Sequence, residues 1–153
     1  MPALASCAGP NISIPAASTL PDPCALATVA DISATFDIGI KDVATPLVDD
    51  STSRSCSILI HDINGDEHLV ITDAANGAGA ISTVCNAVLN TDIVTENLGT
   101  RACWNPGDVS VSAEQHGTFY SAAIIDPVVP NDYATPLEDL MTKILSTQQG
   151  TRQ

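Results

Sequence analysis

The chain has 153 residues, of which 18 are acidic and 5 are Lys or Arg, so its formal net charge is −13. Nucleic-acid binding depends on Lys and Arg side chains that neutralise phosphates, so this balance argues against nucleic acid as a partner and against binding to an anionic lipid surface. Hydrophobic residues make up 44% of the chain, which is enough for a folded core, but no apolar run approaches the ~18–20 residues of a membrane-spanning helix. We therefore expect one folded domain with flanking segments.

The first residues have the pattern of a bacterial lipobox. Leu4, Ala5 and Ser6 are small or apolar and precede Cys7, an arrangement that presents a cysteine for acylation and leaves it at the mature N-terminus after cleavage. A complete signal peptide has an apolar run of roughly 7–15 residues, whereas only Met1 to Ser6 precede this cysteine. We expect residues 1–7 to be the remnant of a truncated signal peptide, lipidated at Cys7. The alternative is an ordinary cysteine in an Ala-rich start.

Three further segments follow from the composition along the chain. Residues 8–21 are rich in Pro, Ser, Thr and Ala without a helical or strand period, which is typical of a spacer. Residues 22–147 contain all the periodic apolar patterns and form the single predicted domain. Residues 148–153 are predicted to be a polar tail.

The cysteine content fits an oxidising compartment. Once Cys7 is set aside, four cysteines remain, and four allow three disulfide connectivities: Cys24, Cys56, Cys85 and Cys103. None of them belongs to a C-x-x-C pair, so a zinc site or a thioredoxin-like redox centre has little support. We expect no metal and no cofactor.

The first predicted element of the domain is a short helix. Thr28 and Asp31 have the spacing of a capping box, with Asp in the usual place of Glu or Gln. Val29, Ile32 and Phe36 follow at positions i, i+3 and i+7, which predicts one apolar helix face ending near Gly39. The next stretch, 42–54, contains Pro46 and an acidic cluster, and we expect a loop there.

Residues 55–73 give the clearest hairpin pattern. Two alternating apolar stretches, 55–61 and 68–72, flank the strong turn pair Asn64-Gly65. Cys56, Ile58 and Ile60 fall on one face, which predicts that Cys56 faces inward. His61 and His68 flank the same turn and form at best an incomplete metal site, so we expect exposed hairpin histidines.

The second half of the chain predicts a helix and three strands. After a flexible break at 76–79, an amphipathic pattern places Cys85 on the buried face of a helix; its members are Ile81, Val84, Cys85, Val88 and Leu89. Strands are expected at 101–104, with Trp104 in the core, and at 109–114, which alternates apolar and polar residues. A turn at 115–117 leads to the apolar stretch 118–125, which we expect to be a central strand.

A final helix closes the predicted domain. Thr135, Pro136 and Glu138 form a capping box with Pro at the first helical position, and the helix carries one apolar stripe, namely Leu137, Leu140, Met141, Ile144 and Leu145. The fold class predicted from these elements is α+β, an antiparallel sheet of about four to five strands packed by two to three helices and crosslinked by two disulfides.

The order of these motifs resembles the actinobacterial lipoproteins grouped as domain-of-unknown-function family 3558. The likeness extends from Cys7 to about Leu145 and includes Asp22-Pro23-Cys24-Ala25-Leu26, Arg54-Ser55-Cys56-Ser57, Leu98-Gly99 and Ala102-Cys103-Trp104. It implies an exported, lipid-anchored envelope protein without an established activity. It also implies the disulfide pairs Cys24–Cys56 and Cys85–Cys103.

The function we expect is that of a ligand-binding or accessory domain, held at the outer face of the cell membrane by the lipid or secreted, with a cell-envelope component or envelope protein as its partner. We expect no catalytic residues and no enzyme. One alternative is a sensor or interaction domain without a small-molecule ligand. The other is an envelope hydrolase that uses His116 as base together with carboxylates; the available carboxylates are Asp62, Asp66, Glu114, Asp126 and Asp132, but no Ser occurs in a nucleophile elbow.

Overall fold

A computed structural model of the chain describes residues 20–36, 39–49, 53–62, 65–87, 91–93, 98–125, 127 and 130–151. The predictions for the signal remnant, for Cys7, for most of the spacer, and for Asn64, Val88, Leu89 and Asp126 lie outside these residues.

The described residues form three α-helices, two short 3-10 turns and seven strands. The helices are α1 (Val29–Phe36), α2 (Gly77–Cys85) and α3 (Ala134–Thr151), and the 3-10 turns are Pro23–Ala25 and Pro130–Tyr133. The strands are β1 (Gly39–Asp49), β2 (Ser53–Asp62), β3 (Gly65–Ala74), β4 (Thr91–Asp92), β5 (Arg101–Asn105), β6 (Ser110–Gln115) and β7 (Thr118–Ile125).

All seven strands belong to one antiparallel sheet in the order β1-β2-β3-β7-β6-β5-β4. The five strands expected from the sequence are the five central ones, and β7 lies in the middle as its apolar run predicted. With helices packed on this sheet and two disulfides, the α+β class is confirmed. β1 and the two-residue β4 extend the sheet at its two edges.

One face of the sheet, which we call the inner face, carries the main core. It is covered by α1, α3 and the first 3-10 turn. The predicted stripe of α3 is wholly buried, with exposures of 0–1% for Leu137, Leu140, Met141, Ile144 and Leu145. It packs with alternate residues of the strands, among them Ile58, Ile71 and Val111. The apolar residues that recur every 3.6 positions in α3 and every two positions in the strands therefore pack in one core, as in other antiparallel sheets with one covered face.

Among the described elements, α2 covers part of the opposite face of the sheet, which we call the outer face. α2 packs there on β5, β6 and β7 over a smaller apolar cluster of Ile81, Cys85, Cys103 and Phe119. The histidines of the first hairpin, His61 and His68, are exposed on the uncovered part.

Both disulfides join a helical segment to the sheet. Cys24 of the first 3-10 turn pairs with Cys56 of β2, with a Cα–Cα distance of 5.2 Å, and Cys85 at the end of α2 pairs with Cys103 of β5, with a Cα–Cα distance of 5.6 Å. These are the two pairs that the family resemblance implied.

Several local predictions need correction. Residues 42–49 of the predicted loop belong to strand β1 and residues 53–54 begin β2. Pro46 is accommodated because β1 is an edge strand with register shifts along it. Val29, predicted to lie on the buried face of α1, is 56% exposed. α3 continues through Thr151, and Gln148 of the predicted polar tail is buried.

Helix α2 begins earlier than predicted, at Gly77 within the expected flexible break. The amide of Gly77 donates a hydrogen bond to the carbonyl of Gly117, at 2.8 Å. A Cβ atom at Gly77 would lie 2.7 Å from the carbonyl carbon of Gly117 and 2.8 Å from that of Thr118. Glycine is required here because the helix start touches the backbone of the β6–β7 hairpin, a contact that periodicity along the chain does not reveal.

Candidate functional site

A groove runs between α2 and the uncovered part of the outer face, and we call it the outer groove. Its volume is about 560 Å³, within the range of roughly 300–1,000 Å³ found for ligand pockets. Strand residues form its floor and α2 forms one wall; the lining consists of Ser53, Thr72, Ala74, Ala75, Asn76, Gly79, Ala80, Thr83, Val84 and Phe119. None of these side chains carries a charge, although the chain has a net charge of −13.

The floor of the outer groove is built by cross-strand neighbours. Ala74 of β3 stands opposite Ser53 of β2 on one side and opposite Phe119 of β7 on the other. Phe119 is 8% exposed and belongs to the apolar cluster under α2. The methyl side chains of Ala74 and Ala80 leave space between sheet and helix, so the groove exists because small residues stand where larger ones would close the packing.

Most polar groups in the lining already have internal partners. The Thr72 hydroxyl lies 2.9 Å from the Ser55 hydroxyl, and the Thr83 hydroxyl donates to the carbonyl of Gly79 at 3.0 Å. Asn76 is the N-cap residue of α2 in a left-handed conformation, with φ of 57°, and its side chain makes no capping hydrogen bond. The groove is therefore mainly apolar, with an amide at its rim.

Behind this floor, on the inner face, lies a buried carboxyl group. Asp73 of β3 is 0% exposed, and neither of its carboxylate oxygens has a hydrogen-bond partner among the described residues. Arg54 of β2 stands opposite it in the register, and Tyr120 of β7 stands opposite on the other side. A buried acid without hydrogen-bond donors is unusual in a folded protein, because the charged form loses its hydration.

Burial raises the pKa of Asp73 from its ordinary value of 3.8 to about 7. The positive charge of Arg54 lowers this pKa, the negative charge of Asp22 raises it, and the amide of its own backbone lowers it by less. Desolvation outweighs the attraction of the guanidinium, so Asp73 gains and loses its proton near neutral pH.

The described residues of the hydrolase hypothesis are not assembled into one site. His116 is an exposed turn residue with φ of 52°, and the nearby Glu114 carboxylate accepts a hydrogen bond from the amide of Gly117 at 2.8 Å, so it holds the turn. Asp66 pairs with His61, with 2.5 Å between the carboxylate and Nδ1. Asp132 is exposed on the second 3-10 turn, and the side chain of Asp62 lies outside the described residues.

The two hairpin histidines do not face each other. His61 stands opposite Asp66 in the register and His68 stands opposite Leu59; Nδ1 of His68 is 3.4 Å from the hydroxyl of Ser57. In the part of the chain that the structure describes, no group of three or more His, Cys, Asp or Glu side chains is placed to hold a metal ion. In the same part, no helix is both long and apolar enough to cross a membrane.

Two other cavities are more polar in character. One, of about 490 Å³, lies between α1 and α3 and is lined by Ala34, Thr35, Leu98, Glu138, Asp139, Thr142 and Lys143. Burial, followed by the charge of Asp139, raises the pKa of Glu138, and the Lys143 ammonium is already 4.0 Å from the Asp31 carboxylate. The other, of about 410 Å³, lies at the end of the β6–β7 pair that is farther from the connecting turn, and its lining includes Gly107 and Pro127.

Neither the outer groove nor Asp73 was predicted from the sequence. The alternation Leu69, Ile71, Asp73 carries the signal for Asp73, because every second residue of a strand shares one face. The register that places Arg54 opposite Asp73 appears only in the structure, since a two-residue turn at the predicted pair Asn64-Gly65 would place Arg54 opposite Ala75. The groove has no such signal, since its lining comes from β2, β3, β7 and α2.

The chain matches no family model, and neither the curated proteins nor the solved structures contain a significant match to it. The likeness to the actinobacterial lipoprotein family therefore stays a prediction.

Proposed function

We propose that this protein is an exported binding domain, held at the outer face of a membrane by a lipid on Cys7, and that its outer groove binds a small, uncharged, mainly apolar component of the cell envelope. The observation that carries the proposal is the lining of the groove, which has no charged side chain in a strongly acidic protein.

The charge of the protein and the lining of the groove limit the ligand chemistry. An anionic ligand is repelled by a protein of net charge −13. A cationic ligand finds no carboxylate in the groove, and burying an unpaired charge is unfavourable. An uncharged ligand that covers Ala74, Ala80 and Phe119 and accepts or donates a hydrogen bond at Asn76 fits the lining.

The compartment is supported by the two disulfides, which indicate an oxidising environment outside the cytoplasm. Lipid attachment at Cys7 is the finer part of the proposal, and it rests on the sequence pattern Leu4-Ala5-Ser6-Cys7.

Binding is tested with N-phenyl-1-naphthylamine, an uncharged probe whose fluorescence rises in apolar surroundings. Thr83 is exposed and lines the groove, so Thr83→Phe places a ring in the ligand space at little cost in stability. We expect this variant to bind the probe about tenfold more weakly than the wild type, which corresponds to about 1.4 kcal/mol.

The matched control is Ser82→Phe, which adds the same ring to the neighbouring exposed position outside the groove lining. It should bind the probe within about twofold of the wild type. Equal affinities of all three proteins, or an absence of probe binding, would refute the groove as the ligand site.

Export and anchoring are tested by the non-reducing intact mass and peptide map of the chain, expressed in an actinobacterial host behind a complete lipoprotein leader. We expect a diacylglycerol adduct on Cys7 together with the Cys24–Cys56 and Cys85–Cys103 disulfides. Five free thiols without lipid would contradict both the compartment and the anchor.

A further inference from the structure

The side chain of Asp73 lies on the inner face of β3, and the floor of the outer groove lies on the outer face of the same strand and of β2. Thr72 and Ala74 line the groove and flank Asp73 in β3, whose side chain is buried on the inner face. On β2, Ser53 lines the groove and is followed directly by Arg54, which stands opposite Asp73. Because neighbouring strand residues point to opposite faces, a shift of the backbone around Asp73 displaces the groove floor.

Among the described residues, three charged or titratable groups lie on the elements packed on β3 near Asp73. β2 contributes Arg54, β7 contributes Tyr120, and the 3-10 turn contributes Asp22 at its N-cap. The Asp22 carboxylate accepts a hydrogen bond from the amide of Cys24 at 3.0 Å, and Cys24 is bonded to Cys56, two residues from Arg54 in β2. Further along the row, Asp49 of β1 stands opposite Arg54 in the register. Asp73 is thus subject to the positive charge of the Arg54 guanidinium and the negative charge of the Asp22 carboxylate.

We propose that the protonation of Asp73 gates the outer groove. With a neutral Asp73 carboxyl, the end of the β2–β3 pair stays closed and the groove keeps its floor of Ser53, Thr72 and Ala74. Ionisation places a carboxylate without hydrogen-bond donors in the sheet, and this end of the hairpin opens to water, which is the less costly state for a charged group. The gate rests on the proposed function, since it regulates the same groove.

The size of the effect follows from proton linkage. In the closed state the pKa of Asp73 is about 7, and in an opened, hydrated strand end it returns towards 3.8. Between pH 5.5 and pH 8.5 the equilibrium between closed and open forms then shifts towards the open form by about 30-fold. Ligand affinity decreases by up to this factor over the same range, to the extent that the open form becomes populated.

The gate is tested first without any ligand, by amide hydrogen exchange at residues 53–55 and 72–74 in the wild type and in Asp73→Asn at the same pH. Because both proteins are measured at the same pH, the hydroxide dependence of the intrinsic exchange rate is the same for both and cancels in their ratio. We expect the exchange rate of the wild type, divided by that of the Asn variant, to be about 30-fold higher at pH 8.5 than at pH 5.5. Equal exchange at both pH values would overturn the gate.

Two further variants test whether Asp73, and not a histidine or the net charge of the protein, sets the pH dependence of opening. Arg54→Gln removes a charge that lowers the pKa of Asp73, so the pH of half-maximal opening should move upwards. Asp139→Asn makes the same chemical change at an exposed position of α3 and should keep the wild-type profile. A midpoint that Arg54→Gln leaves in place would also overturn the gate.

The link to binding is tested with N-phenyl-1-naphthylamine at both pH values. The wild type should bind the probe more weakly at pH 8.5 than at pH 5.5, and Asp73→Asn should bind equally well at both. If no protein binds the probe at pH 5.5, the proposed function fails while hydrogen exchange still decides the gate. If the wild type and the Asn variant lose affinity in parallel, the groove is intact but Asp73 does not control it.

Discussion

Among the described residues, Asp73 is the acid whose burial most strongly changes its pKa. Its side chain is fully buried without a hydrogen-bond partner among the described residues, and burial raises its pKa to about 7. A folded state that holds the proton more tightly than the unfolded chain loses stability as the pH rises. The stabilising contribution of the neutral form is complete below pH 3.8, falls as the pH rises towards 7, and is absent above that value.

We therefore expect Asp73→Asn to raise the free energy of unfolding at pH 8 by roughly 2–4 kcal/mol and to change it little at pH 4, since each unit of pKa shift corresponds to about 1.4 kcal/mol. Urea denaturation at the two pH values measures this difference. The exposed control Asp139→Asn should change stability by less than about 0.5 kcal/mol at either pH. A stability of the Asn variant that falls with pH as the wild type does would show that Asp73 is not the titrating group.

The start of α1 could be predicted from the sequence, whereas the start of α2 could not. The predicted capping box is present, because the amide of Asp31 donates to the Thr28 hydroxyl at 3.0 Å and the amide of Thr28 donates to the Asp31 carboxylate at 3.2 Å. Its members are three residues apart, so the local pattern was sufficient. The start of α2 depends on Gly77 meeting the turn at Gly117, a contact between residues 40 positions apart, and no local pattern predicts it.

The contact at Gly77 gives a prediction for the whole element. Gly77→Ala places a methyl group within 2.8 Å of the backbone of Gly117 and Thr118. Because neither backbone segment can move freely, we expect the substitution to lower the free energy of unfolding by about 1–3 kcal/mol. Gly79→Ala is the matched control, since its Cβ meets mainly the Asn76 side-chain amide, which can rotate away, and alanine favours the helix. Thermal unfolding of both variants compares them, and equal stabilities would show that α2 is not seated by this contact.

At the scale of the molecule, the sheet buries its inner face under α1 and α3, and among the described helices α2 packs on its outer face, over β5, β6 and β7. The predictions of strands β2, β3, β5, β6 and β7 were correct because each has its own alternating or apolar pattern ending at a turn. β1 was not predicted, since Pro46 and neighbouring acidic residues are typical of a loop, and only pairing with β2 makes this stretch a strand. Whether such a stretch forms an edge strand depends on its pairing with another strand, and a pattern within the stretch itself does not reveal that pairing.

The uncharged groove in a protein of net charge −13 is also a property of the assembled molecule. Its lining residues occur in three separate stretches of the chain, 53, 72–84 and 119, and each stretch looks unremarkable in the sequence. Two of its neighbours along the chain, Arg54 and Asp73, are charged but lie on the other face, because strand residues alternate.

The sequence by itself determined the acidic character of the protein, the class of fold, the central place of β7, the buried stripe of α3 and the presence of the first hairpin. These properties depend on composition or on periods of a few residues, which one stretch of chain carries alone. The tertiary structure decided the edge strand β1, the close approach at Gly77, the open groove and the burial of Asp73. Each of these depends on which surfaces meet after folding, and the free energy of such contacts comes from residues far apart in the chain, so no local pattern specifies it.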